Sequence, residues 1–240
     1  MTMPEIASRK SWLKARKALL KREKALMKQQ DELAAARREL PLVKVEEDYR
    51  FHSPRGEKTL AELFGPHRQL IVYHFMFGAD WEQGCPSCSF WADNFNGLDI
   101  HLAARDTSFV CVSNAPLERL QAYAKRLGWT FPWVSAAGGR FGEDFDVTFP
   151  GDAVKSGDYN FGGKPRGEEM PGLSVFLRLD DGTVGHSYST YGRGVEVFNA
   201  AYHLLDLRPI GRDEDALPYT MAWVRRRDQY EQNVGQSEIR

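Results

Sequence analysis

Cysteine is scarce in this chain: three occur in 240 residues, which excludes the disulfide-dense scaffold of a small secreted domain. Long apolar runs are also missing. None approaches the roughly 20 residues that span a bilayer, and the opening MTMPEIASRKSWLKARK turns basic before the apolar core of a secretory signal can form. A reducing cytosol is therefore the expected location, with no membrane partner. Signatures of several enzyme classes are lacking too: there is no G-x-x-x-x-G-K-[ST] phosphate loop, no G-x-G-x-x-G after a strand, no G-x-S-x-G and no H-E-x-x-H. No nucleotide, flavin or other cofactor is expected, so any redox equivalents come from another protein or a small thiol.

Charge nearly cancels, at a formal −1, but it is unevenly placed. Residues 1–40 hold 11 Lys+Arg against 5 Asp+Glu, leaving 21 against 28 in the remaining 200. Trp12, Leu19, Leu26, Leu33 and Leu40 recur every seven residues, with Leu13, Leu20 and Met27 beside the first three. This pattern predicts one long amphipathic helix ending before Pro41. A basic amphipathic helix can bind a membrane surface or nucleic acid. The more ordinary expectation is that its Leu stripe packs on the domain or on a second copy, as a homodimer, with no nucleic acid partner.

The period then changes. VKVEEDYRF (residues 43–51) alternates like an exposed strand, TLAELFGPHRQ reads as a turn of helix and a loop, and QLIVYHFMF is apolar enough for a central strand buried on both faces. SFWADNFNGLDIHLAAR predicts a helix weakened at Asn94, Asn96 and Gly97, followed by a second buried strand, DTSFVCVSNA. A helix closed by Gly128, a short extended segment at WTFPWVSA and an irregular helix at GRFGEDFDV come next. Residues 150–168 read as a surface loop. GLSVFLRLDDGTVGHSYST is a hairpin turning at Asp181-Gly182, and VEVFNAAYHLLDL a last helix. The order β-α-β-α then β-β-α predicts an α/β fold: a thioredoxin-like mixed central sheet with helices on both faces. The division expected is 1–40 helix, 41–205 domain and 206–240 a loop-rich extension with a frayed end.

Two of the three cysteines stand close together, in Cys85-Pro86-Ser87-Cys88, where the buried strand hands over to a helix. Unpaired amides at a helix start favour a thiolate on the first cysteine, which lowers its pKa from about 8.5 to roughly 3.5–7.5 and makes it nucleophilic at neutral pH. Cys88, one turn later, is placed to resolve a mixed disulfide, and Pro86 suits a first turn because it needs no amide donor. Two alternatives stay open. Zinc needs four ligands, which Cys111, His74 or His101 would have to complete from separate elements, and an inert buried pair is the other.

Flanking residues supply further candidates. Trp81 and Trp91 could wall a substrate groove, or simply belong to the core. Arg193, at the start of the last helix, is a candidate for thiolate or anion binding. His186, with Tyr188 and Tyr191, is a candidate pocket wall. His74 and His203 are expected to be hydrogen-bonded core histidines, and Cys111 a small buried hydrophobe.

GCPSC after a buried strand resembles the thioredoxin-fold oxidoreductases, and FVCVSNAPLERLQAYAKRLGWTFPWVSAAGGRFGEDFDV is similar to a stretch of peroxiredoxins and alkyl hydroperoxide reductases. More closely, YHFMFGADWEQGCPSCSFWADNF, PGLSVFLR, YSTYGRG and GRDEDALPYTMAWVRRRDQY resemble a bacterial thioredoxin-like family of unknown function, described as predicted dithiol-disulfide oxidoreductases. That resemblance covers nearly the whole chain and implies fold more firmly than substrate. Laid on the peroxiredoxin pattern, Cys85 stands where the peroxide-attacking cysteine does, but Gly78 replaces the usual Pro and Glu82 the usual Thr or Ser. A carboxylate there would raise a thiolate's pKa if close. The resemblance also implies a proline facing the cysteine pair in the cis form. Pro171 is the candidate, with a plain turn proline as the alternative.

The functional expectation is a thiol-disulfide oxidoreductase in which Cys85 attacks and Cys88 resolves, with Pro86, Trp81, Glu82, Pro171 and Arg193 as support, acting on a protein or small-molecule thiol or disulfide. A peroxiredoxin-like peroxidase using Cys85, and a non-enzymatic binding module that keeps the fold, are the alternatives.

Overall fold

The computed structural model describes residues 4–230. In chain order the elements are α1 (Arg9–Arg38), β1 (Val43–Lys44), β2 (Arg50–Ser53), β3 (Gly56–Thr59), α2 (Leu60–Leu63), β4 (Gln69–His74), α3 (Pro86–Ala92), α4 (Leu98–Ala103), β5 (Thr107–Ser113) and α5 (Leu117–Leu127). They continue with β6 (Trp133–Ser135), α6 (Phe141–Asp144), α7 (Ala153–Ser156), β7 (Gly172–Arg178), β8 (Val184–Tyr191), a 3-10 turn (Gly192–Phe198) and α8 (Ala200–Asp206). One mixed sheet runs β1-β8-β7-β4-β5-β6-β2-β3. β4, β5 and β6 are parallel, joined by helical crossovers, and β7 pairs antiparallel with the other side of β4. This is the thioredoxin-like arrangement expected from the order of elements.

Alternation explains how the central strands bury both faces. Leu70 and Val72 of β4, Val110 and Val112 of β5 and Phe176 of β7 point into one apolar cluster, covered by α2 and α6. Tyr73, Phe75, Phe109, Cys111 and Leu173 point into the other, beneath α3, α5 and α8. The second cluster is aromatic: Phe75, Trp129, Phe131 and Trp133 interlock with ring centroids 4.7–6.4 Å apart. The cysteine pair belongs to this face.

Several boundaries differ from the expectation. Residues 43–51 are not one strand. β1 pairs with β8 at one edge of the sheet and β2 with β6 near the other, with Glu46, Glu47 and Asp48 between them in solvent and Val45 and Tyr49 on either side both packed on the first apolar cluster. The helix after the cysteines breaks at Asn94–Gly97. The Asn94 amide caps the Phe90 and Trp91 carbonyls at 2.9 and 3.1 Å, and Gly97 turns the chain in the left-handed region at φ 83°. The last helix divides into a 3-10 turn and α8, which starts at Asn199, whose side chain accepts from the Tyr202 amide at 3.0 Å. Residues 150–168 are more than a surface loop, since α7 and the buried Tyr159 lie within them. His203 is exposed, not a core histidine, because α8 turns Tyr202 inward instead.

The loop-rich C-terminal extension packs on the domain as far as residue 230, and the end expected to fray lies outside the described residues. Val224 is buried, and Met221 and Trp223 lie against the aromatic cluster. The remaining residues 231–240 fall outside the described ones. None of the described helices is long and apolar enough to cross a membrane.

α1 is 30 residues long and buries none of them. Its stripe, from Trp12 at 48% exposure to Leu33 at 52%, faces solvent, so the expectation that it packs on the domain is not met. Arg37 over the Tyr188 ring at 5.4 Å is a contact near its C-terminal end. Deleting residues 1–38 should therefore move the thermal midpoint of the domain by no more than about 2 °C, since roughly 1 kcal/mol corresponds to 2–4 °C at this size. A larger loss, measured by calorimetry with the oligomeric state, would mean that the stripe is covered in solution by a second copy.

Candidate functional site

β4 ends at His74, and the chain continues through residues 75–84 before α3 begins. Cys85 is the cap residue of α3 and Pro86 its first helical residue. The turn is fixed from both sides. The Cys85 amide donates to the Met76 carbonyl at 3.0 Å, and the Cys85 carbonyl accepts from the amide and hydroxyl of Ser89 at 2.9 and 2.8 Å. The Ser89 hydroxyl lies 2.9 Å from that of Tyr123 on α5, which in turn accepts from Arg226 at 2.7 Å. Arg226 also places two guanidinium nitrogens on the Gly84 carbonyl, at 2.6 and 3.2 Å. Gly84 has no room for a side chain: a Cβ would lie 2.6 Å from the Phe75 ring and 3.2 Å from that of Tyr123. Arg119 holds the carbonyls of Ala79 and Trp81 at 2.8 and 2.6 Å.

Within this frame the two thiols differ. Cys85 is half-buried and Cys88 is 2% exposed. The Cys88 thiol donates to the Cys85 sulfur, which is the main reason that the Cys85 pKa falls to about 6. Burial opposes the shift, and the amides of Cys88 and Ser87 with the Ser87 hydroxyl add to it. Cys88 is pushed well above an ordinary thiol, chiefly by burial and by the neighbouring sulfur, against hydrogen bonds from the Met76 amide and the Tyr73 hydroxyl. The arrangement presents one thiolate with a protonated thiol hydrogen-bonded to it.

Cys88 and Ser87 form part of the wall of a cavity of about 1120 Å³. Tyr73, Met76 and Trp91 line it from the core side, residues 159–171 and 192–196 from the β7–β8 end, and residues 206–221 from the C-terminal segment. Trp91 is locked by donating its indole N–H to the Val195 carbonyl at 2.7 Å. Arg212 stacks on Tyr202 at 3.8 Å and pairs with Glu196 and Asp206. One oxygen of Glu214 accepts from Tyr202, Trp223 and the Met221 amide at 2.6–3.0 Å.

The structure brings some of the sequence candidates together and separates others. Pro86, Trp91 and Pro171 lie at the pair or in the cavity wall. The Met170–Pro171 bond is trans, contrary to the cis form that the resemblance implies, and the Pro171 carbonyl accepts from Tyr159 at 2.7 Å. Arg193 lines the cavity, but its side chain is 87% exposed and paired with Glu196, so it does not stabilise the thiolate. Trp81 stands outside the cavity at 37% exposure, folded over Gly78. Glu82 is exposed, and the groups acting on Cys85 come from Cys88 and Ser87 instead. His186 and Tyr191 are packed away from the cavity: His186 bonds Ser189 and Tyr191 bonds the Phe145 carbonyl. His74 is buried and bonded to Ser174 at 2.8 Å, and burial takes its pKa down to about 3. Cys111 is fully buried in β5 and His101 is exposed on α4. Among the described residues no group of three His, Cys, Asp or Glu side chains is placed to hold a metal.

Three residues were not legible, two of them at the site and the third, Glu169, outside the cavity lining. Arg226 and Arg212 act across more than a hundred residues or through an unpredicted turn, so local pattern carries no signal for them. Glu169, just before Met170-Pro171, is held by Asn114 at 2.8 Å and Thr148 at 3.5 Å, and burial raises its pKa to about 7.

Two measurements check these electrostatics. Cys88→Ala removes the largest stabilising contact on Cys85, so the pH midpoint of iodoacetamide alkylation should move up from about 6 towards an ordinary thiol value. Glu169 is raised above its unfolded value, so its contribution is present below about pH 4.5 and lost as pH rises through about 7. Glu169→Gln should therefore flatten the fall in stability between those values, read from urea midpoints.

Solved structures that superpose include the peroxidoxin BcpB of Mycobacterium tuberculosis, at 18% identity over 63% of this chain and 85% of that one, with a TM-score of 0.44. Peroxiredoxin Q of Xanthomonas campestris superposes at 15% identity over 70% and 97%, with a TM-score of 0.47. No curated protein sequence matches significantly. The family model described as bacterial protein of unknown function (DUF899) matches residues 1–230. Spanning nearly the whole chain, from the basic helix through the cysteine pair to Arg226, that match makes this protein a member of the DUF899 family.

Proposed function

We propose that the chain is a thiol-disulfide oxidoreductase in which Cys85 attacks and Cys88 resolves. The observation that carries this reading is the opposite displacement of two hydrogen-bonded thiols at one helix start: Cys85 down to about 6 and Cys88 up. A thiolate at neutral pH is the attacking species in disulfide exchange. A second thiol that keeps its proton until the mixed disulfide forms is suited to displace the first. Cys85 Sγ attacks one sulfur of the substrate disulfide, whose other sulfur leaves as thiolate. Cys88 then yields its proton and attacks Cys85, releasing the second thiol. The dithiol is oxidised by two electrons, the substrate is reduced by two, and a further dithiol must reset the pair.

A peroxidase reading uses the same nucleophile. It is supported by the low Cys85 pKa, but the position three residues before it carries Glu82, a solvent-facing carboxylate, in place of a hydroxyl. Thiolate stabilisation by amides and a neighbouring thiol serves exchange equally well, and the resolving cysteine is already in contact.

Cys88→Ser should accumulate a mixed disulfide with a model disulfide, detected by mass spectrometry, while Cys85→Ser forms none. The rate of the wild-type reaction should rise through about pH 6 and level off above it. Rapid formation of a sulfenic acid on Cys85 with hydrogen peroxide, and no mixed disulfide, would favour the peroxidase instead.

A further inference from the structure

The cavity beside the pair carries information about what reaches it. One common way for an extended polypeptide to bind is to add a strand to free backbone. Here three backbone groups beside the cavity are already paired. The Met170 amide donates to the Val147 carbonyl at 2.8 Å, the Pro171 carbonyl accepts from Tyr159 at 2.7 Å, and the Gly192 amide donates to the same Tyr159 oxygen at 2.7 Å. The open edges of the sheet are β1 and β3, at its two ends. Residues 206–221 and the insertion around Tyr159 enclose the space on their sides. At about 1120 Å³ it lies just above the usual size of small-molecule sites, roughly 300–1,000 Å³.

Its charges divide into two kinds. Arg193 and Arg212 are neutralised by Glu196 and Asp206. Lys164 and Arg166 from the insertion, and Asp213 and Asp215 from the C-terminal segment, line the cavity without an ion-pair partner among the described residues. Glu214, also in the lining, is taken up by hydrogen bonds from Tyr202, Trp223 and the Met221 amide. The two cations and two carboxylates left over, around an aromatic and methionine-lined space, suit a molecule bearing both ammonium and carboxylate groups. Ser87 and Cys88 belong to the wall, and Cys85, next to them at the start of α3, is hydrogen-bonded to Cys88.

We propose, on the basis of the exchange reading above, that the substrate is a low-molecular-weight disulfide built from amino-acid units rather than a protein disulfide. The Cys85 thiolate attacks RS–SR, forming Cys85–S–SR and expelling RS⁻, which takes up the Cys88 proton. The retained R group occupies the cavity, its carboxylates towards Lys164 and Arg166 and its ammonium towards Asp213 and Asp215. Cys88 then attacks Cys85, breaks the mixed disulfide and expels the second RS⁻. The protein loses two electrons and RS–SR gains them.

The test compares second-order oxidation rates of the reduced full-length protein by glutathione disulfide, hydroxyethyl disulfide and insulin, each divided by its rate with free dithiothreitol. The zwitterionic glutathione disulfide should exceed the other two at least tenfold. The double variants Lys164→Ala/Arg166→Ala and Asp213→Asn/Asp215→Asn, all at exposed positions, should each reduce the ratio of glutathione disulfide to hydroxyethyl disulfide at least threefold. Normalised rates that are equal, or highest for insulin, overturn this substrate class while leaving the exchange reading standing. Failure to react with any of the three overturns the exchange reading itself.

Discussion

The turn from residue 84 to 89 depends on satisfying carbonyls that have no strand to pair with. Gly84 and Cys85 lie between the connection that follows β4 and the first turn of α3, so their carbonyls must find donors outside a strand or pay the cost of burial unpaired, about 1–3 kcal/mol each. Ser89 supplies two donors to Cys85, and Arg226 supplies two to Gly84. Tyr123 bridges the two sets. Because the turn is pinned, the amides of Ser87 and Cys88 and the thiol of Cys88 all converge on the Cys85 sulfur. The difference between the two thiols is a consequence of backbone accounting.

The same accounting links distant parts of the chain. Arg226 lies 142 residues from the carbonyl it holds, and the salt bridge between Arg126 and Asp228, at 2.6 Å, pins the C-terminal segment to α5 beside it. The segment from Met221 to Tyr230 thus supports the cysteine turn, while the stretch before it, with Arg212 and Glu214, encloses the cavity. One extension reaches both the cysteine turn and the cavity beside it. The long N-terminal helix serves neither among the described contacts, and its apolar stripe stays in solvent.

Much of this was legible in the amino acids because it is local. The apolar run at β4, the Asp181-Gly182 hairpin and the Cys-Pro-Ser-Cys step each declare themselves within ten residues, through alternation, turn chemistry and a helix start. What was not legible depends on long-range partners. β1 and β2 were read as one strand because alternation continues through Glu46–Asp48, and only tertiary pairing sends its halves to different edges. Arg193 looked functional by position, yet Glu196 one turn away neutralises it. Glu82 looked decisive by alignment with a pattern, yet it faces solvent. Tyr159, from a stretch that reads only as polar loop, is buried and bonds both Pro171 and Gly192.

The central claim is that Cys85 and Cys88 form one two-electron couple and that Cys111 stands apart. Equilibrating the intact protein in thiol-disulfide buffers of graded potential, followed by alkylation and peptide mass spectrometry, tests it directly. The account predicts a single two-electron transition in which a disulfide joins Cys85 to Cys88 while Cys111, fully buried in β5, stays reduced and unlinked in every buffer. A chain in which the pair remains dithiol across the whole range, or in which Cys111 enters the disulfide, would contradict it.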